Sequence, residues 1–146
     1  MTDIHPDNTN IDLAEFHTSR KEYDIAFKYL TMNEYSVANS KGTYLKGMFY
    51  QHGLGGCPKD PENAMYCYLA NPSESDNLLR KVRIAEIFTD DMTCSCKNGI
   101  NVLARYCDMI YANGSPEDIQ IADKCMQKYT NTPYTTGYEC IEKCVC

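Results

Sequence analysis

Cys94-Ser95-Cys96 and Cys140-x-x-x-Cys144-x-Cys146 are the two places where this chain concentrates residues capable of chemistry. Soft thiolates at short spacing are what a zinc site or a redox pair demands, and two C-x-C pairs would supply four ligands. The spacing is not the C-x-x-C of zinc ribbons, however, and a carboxy-terminal tail would have to meet a loop far upstream. Structural thiols are therefore favoured over a metal or redox centre, which stands as the alternative reading. Nine cysteines, an odd count, together with an amino-terminal stretch too polar for a secretory signal, fit reduced thiols in the cytosol better than disulfides. Cys67, Cys107 and Cys125 fall in helical segments and read as small core hydrophobes.

Other reactive groups lack the company that chemistry needs. His5, His17 and His52 are possible bases for a cysteine nucleophile, but no glycine-rich cysteine motif or positioned acid accompanies any such pair, so the expectation is no enzyme. Asp90-Asp91 and Asp123 lack the spacing of a calcium loop and read as solvated surface. Gly53-x-Gly55-Gly56 is followed by no Lys-Ser or Lys-Thr and preceded by no strand, which makes it a turn and not a phosphate loop. No metal or cofactor is expected. A formal charge of -6 with no basic run argues against nucleic acid, and no apolar stretch reaches the length of a membrane span. The expected location is cytoplasmic, within a host cell were the chain a viral or bacterial effector.

The elements that position these residues read at a period of 3.6, so the fold class is all-α. Residues 1–9 form a polar, disordered lead-in whose Asn8, Thr9 or Asn10 caps a first helix over 11–19. A second helix carries Tyr23, Ile25, Ala26, Phe27, Tyr29 and Leu30. The pattern repeats over 35–51, where Lys41-Gly42 marks the end of the connection. Three glycines and two prolines then break the chain between His52 and Pro61, and Asp60 before Pro61 is an N-cap followed by a first-turn proline. Helices follow over 61–70, 78–89, 101–111 and 116–129, and residues 138–146 begin a further one.

Superimposed on this is an internal echo. Ala26-Phe27-Lys28-Tyr29, Ala64-Met65-Tyr66-Cys67 and Ala104-Arg105-Tyr106-Cys107 recur at intervals of 38 and 40 residues, and Gly47, Ala85 and Ala122 recur at nearly the same interval. Such a period signals stacked helix pairs, with small residues where paired helices approach. The units are about 10–33, 35–71, 76–112 and 116–146, within a single α/α repeat domain over 10–146.

The run Gly42-x-x-Leu45-x-Gly47-x-x-Tyr50-x-x-Gly53-x-Gly55-Gly56-x-x-x-Asp60-x-x-x-Ala64-x-x-x-Tyr68 resembles the Sel-one-like repeat, a relative of the tetratricopeptide repeat. Gly47, Tyr50, Gly53, Gly55, Asp60 and Ala64 carry the pattern, and Ala85, Phe88, Ala104 and Ala122 echo it. Lys46 stands where a leucine is usual, and Gly56-Cys57 add a residue before Asp60. The resemblance implies an α/α solenoid serving as a protein-binding adaptor or scaffold, in which the first helix of each pair lines a concave face. Projected onto this chain, that face holds Lys41, Tyr44, Met48, Val82 and Glu86, and it takes a peptide or helix of another protein. The unfinished last unit leaves an apolar face that a second copy can cover, making a homodimer.

Overall fold

Prolines and caps set the helix limits. In the computed structural model, which describes residues 6–32, 40–70 and 76–130, regular structure among those residues is helical: α1 (Pro6–Ser19), α2 (Tyr23–Thr31), α3 (Ser40–His52), α4 (Pro61–Leu69), α5 (Asn77–Asp90), α6 (Lys97–Asn113) and α7 (Pro116–Thr130). The all-α class is as expected. Asp60 accepts from the Asn63 N–H at 3.1 Å with Pro61 in the first turn of α4, the capping expected from the residue types.

Two starts differ from expectation. Helix α1 already begins at Pro6, because a proline at a helix start forfeits no intrahelical hydrogen bond. The lead-in thus loses residues 6–9 to the helix, and Asn8, Thr9 and Asn10 sit inside α1 instead of capping it. Helix α6 starts at Lys97 and not Asn101, because Cys96 caps it with sulfur, accepting from the Gly99 N–H at 3.2 Å. The connection over 35–39, the stop at 71–73 and the final segment 138–146 lie outside the described residues.

The chain divides into two compact units, Met1–Ser73 and Glu74–Cys146. Their boundary falls between the expected repeats 35–71 and 76–112. In the first unit α1 pairs with α2 and α3 with α4, and α3 also touches α1 and α2. Ile11, Ala14, Ala26, Leu30, Leu45, Phe49 and Cys57 form its core. Phe27 stacks on Phe49 with ring centroids 5.8 Å apart, and Tyr23 meets the same ring edge-on at 6.0 Å.

Helices α3 and α4 approach closely because Gly47 has no side chain. A Cβ there would stand 2.5 Å from the Tyr68 ring, whose hydroxyl donates to Gln51 Oε1 at 2.7 Å in the interior. After α3, Gly53 and Gly55 take positive φ angles of 64° and 61°. The Leu54 N–H returns to the Phe49 carbonyl at 3.1 Å and closes the helix end. Gly55 also lies so near the Tyr23 carbonyl that any Cβ would collide with it.

In the second unit α5, α6 and α7 each pack on the other two. Ile84, Ala85, Ile87, Phe88, Leu103, Cys107, Ile110, Ala122, Cys125 and Tyr129 are buried. Of the small residues in the two echoes, Ala26, Gly47, Ala64, Ala85 and Ala122 are buried, as close helix approach requires. Ala104 departs from the series and is only half-buried. Arg80 is also buried, and its guanidinium reaches both carboxylate oxygens of Asp76, at 3.1 and 3.2 Å.

Candidate binding groove on the α3–α4 pair

Helix α3 is buried along two sides, toward α4 through Thr43, Gly47 and Gln51 and toward the first-unit core through Leu45 and Phe49. At about 3.6 residues per turn this leaves two separate open strips. One holds Lys41, Tyr44 and Met48, the residues projected onto the concave face. The other holds Lys46 and Tyr50.

The second strip opens on a groove of about 280 Å³, completed by Thr43 of α3 and by Asn63, Tyr66, Cys67 and Ala70 on the α4 side. The Thr43 hydroxyl is shared between the carbonyls of Ser40 and Ala70, at 3.0 and 3.1 Å, and ties the start of α3 to the end of α4. Tyr66 is 48% exposed, a large ring held out beside the groove. Tyr50 is half-buried, and desolvation, reinforced by Cys57, Cys67 and Asp60, pushes its phenol above the ordinary tyrosine range. It therefore stays a neutral donor. An ammonium, two phenols and a carboxamide around an aliphatic floor can hold a peptide by backbone hydrogen bonds and ring contact.

The projected concave residues fare differently from one another. Lys41 Nζ bridges Asp12 and Glu15 of α1, each at 3.1 Å, and both bonds hold its ammonium above the usual lysine range. Tyr44 packs against Tyr68 with centroids 5.7 Å apart, and Met48 is half-buried. Glu86 pairs with Arg83 at 2.9 Å. Val82 is fully buried and presents nothing to a partner, which corrects its assignment: the spacing along α5 does not separate its packed side from its open one. Lys41, Tyr44 and Met48 belong to one unit, Val82 and Glu86 to the other.

The sulfur clusters are likewise resolved in part. Cys94 is buried, and its sulfur lies 4.0 Å from that of Cys96. Cys96 is disulfide-bonded, so the expectation of reduced thiols fails there. Cys140, Cys144, Cys146 and the terminal face invoked for a homodimer lie outside the described residues. Among the described residues no three His, Cys, Asp or Glu side chains converge as metal ligands. His17 is committed to Glu22 at 3.0 Å and stacks on Tyr29 at 5.6 Å, and His52 is exposed at the end of α3. His5 is outside the described residues.

Sequence reasoning missed Asn63 and Tyr66 as groove residues. The signal was present in their spacing with Ala70, three and four residues apart on the side of α4 away from Ala64 and Tyr68. No protein-family model matches the chain, and comparison with curated proteins and with solved structures finds no match. Among the described residues no helix is long and apolar enough to cross a membrane.

Proposed function

We propose that this chain is a non-catalytic protein-binding scaffold, built as a solenoid of Sel-one-like helix pairs, that takes a peptide segment of another protein along the α3–α4 groove. The groove is the observation that carries the reading: Lys46, Tyr50, Asn63 and Tyr66 line an open channel beside a rigid, ring-locked helix pair. The sequence resemblance over 42–68 supports it from a separate direction. Rigid placement matters because a preorganised surface loses little entropy when it binds.

A random peptide-display selection on the full chain tests this. Peptides that bind the wild type should lose at least tenfold in affinity to Tyr66→Ala and to Lys46→Glu, yet bind Tyr44→Ala normally. Failure to enrich any peptide, or equal binding by Tyr66→Ala, overturns the groove as the binding surface.

A further inference from the structure

The α3–α4 groove is short and carries a single charge. At one end the Thr43 hydroxyl bonds the Ala70 carbonyl at 3.1 Å, and at the other the Asp60 N–H donates to the Tyr50 carbonyl at 2.8 Å. Thr43 and Tyr50 stand about two turns apart on α3, so the channel between these ties is about 10 Å long. An extended chain advances about 3.3 Å per residue, and roughly three residues therefore fill it. Lys46 lies between the two ends, opposite the middle one.

Lys46 is half-buried and is the one charged side chain among the described residues that line the groove. Its ammonium has no ion-pair partner among the described residues, whereas Lys41 is held by Asp12 and Glu15, and Arg83 by Glu86. The acids of the α4 start do not supply one. Asp60 is engaged at the helix cap, where its two oxygens accept from the Asn63 N–H at 3.1 Å and the Asn63 carboxamide at 2.8 Å. Glu62 is exposed and lies outside the lining. A chain with a net charge of -6 thus keeps an uncompensated cation in this channel.

Tyr50 follows Lys46 by one turn on the same strip, and the Cβ atoms of such a pair are about 5–6 Å apart. Burial keeps the phenol protonated, so both side chains offer a proton to the channel. Two donors at this spacing match the two oxygens of one carboxylate. A phosphate group, with a third oxygen and a second charge, calls for clustered cations and above all arginine, and no arginine is among the described lining residues. The exposed Tyr66 ring gives the neighbouring side chains of a ligand an apolar contact.

We propose that the α3–α4 groove binds an extended peptide segment through an internal aspartate or glutamate, whose carboxylate accepts from Lys46 Nζ and the Tyr50 hydroxyl. The assignment rests on the groove being the binding surface and adds the acidic class of its ligand.

Two libraries of short displayed peptides, randomised except for a central residue fixed as glutamate in one and glutamine in the other, are selected side by side on the full chain. The glutamate library should enrich, and its binders should lose about tenfold in affinity when that glutamate becomes glutamine. Lys46→Met should weaken the glutamate peptide by a similar factor and leave its glutamine counterpart unchanged. Lys46→Glu should regain binding with a lysine at the central position, a charge exchange that a merely structural lysine would not allow. Tyr50→Phe, which keeps the ring, should cost about threefold, and added salt should weaken the glutamate peptide more than the glutamine one. Binders that are lost on Tyr66→Ala but come equally from both libraries overturn the acidic assignment and leave the groove standing. Glutamate-dependent binders that ignore both Lys46→Met and Tyr66→Ala, or no enrichment from either library, overturn the groove and this assignment together.

Discussion

Rings hold the first unit together, whereas a phenol and an ammonium tie the helices of the second. Phe27, Tyr23 and Phe49 interlock in one, and Tyr68 lies flat in the space that Gly47 leaves. In the other, Tyr129 donates to the Phe88 carbonyl at 2.7 Å and accepts from the Cys94 N–H at 3.0 Å. Lys128 Nζ then gathers the carbonyls of Phe88, Thr89 and Met92 at 2.6, 3.1 and 2.7 Å. The first two belong to the last turn of α5, whose carbonyls have no helical partners, and Met92 lies just beyond it. The contrast shows two ways of joining short helices. Shape complementarity between rings and a glycine fixes a hairpin, and polar side chains from a third helix fix a three-helix cluster by satisfying the end of another.

The sharpest way to break this comparison is Gly47→Ala. The new methyl meets the Tyr68 ring, which its bond to Gln51 prevents from swinging away, and overpacking of this kind costs about 2 kcal/mol. Hydrogen exchange should show lost protection in α3 and α4 and unchanged protection in α5–α7. Lys128→Met tests the other unit. It retains the aliphatic stem but abandons three carbonyls, for an expected loss of about 1–2 kcal/mol in urea unfolding, with faster exchange concentrated at the end of α5.

A smaller effect of opposite sign is expected at the α1–α2 turn. Lys21 holds a φ of 61°, and the N–H of Glu22 returns to the His17 carbonyl at 2.8 Å, a geometry that glycine adopts without strain. Lys21→Gly should stabilise the first unit by about 0.5 kcal/mol, after its greater unfolded-state freedom is subtracted.

The smallest test concerns pH. The Tyr111 hydroxyl donates to Asp123 across α6 and α7 at 2.7 Å, and that bond, with desolvation and the neighbouring negative charge, raises the phenol from 10.0 to about 12. Because the folded value is the higher one, the contribution is complete below pH 10 and disappears as pH rises through about 12. An absorbance titration should show one phenolate fewer near pH 11 in the wild type than in Asp123→Asn.

Helix ends were largely legible in the residues, because caps and breakers act within a few positions. Asp60 with Pro61, Pro116 and the glycines from Gly53 to Gly56 each perform the role that their chemistry implies. The starts at Pro6 and Lys97, which differ from the expectation, are also local matters, set by a first-position proline and a sulfur cap. The candidate site was far less legible. Tyr50 was identified for its place in the repeat pattern, whereas Tyr66 and Asn63 needed the opposite strip of α3 to be open.

A periodic apolar pattern states that a helix has a buried side and an exposed one, but it cannot say which neighbours cover that helix or from how many directions. Helical class and most helix limits among the described residues therefore follow from this chain's residues alone, since they rest on hydrogen bonds and dihedral preferences spanning a single turn. The burial of Val82, the three carbonyls gathered by Lys128 and the bond from the Tyr129 phenol to the Phe88 carbonyl arise between residues distant in sequence. Such meetings depend on how whole helices dock, and docking is set by the summed packing of many side chains, which no local run of residues contains.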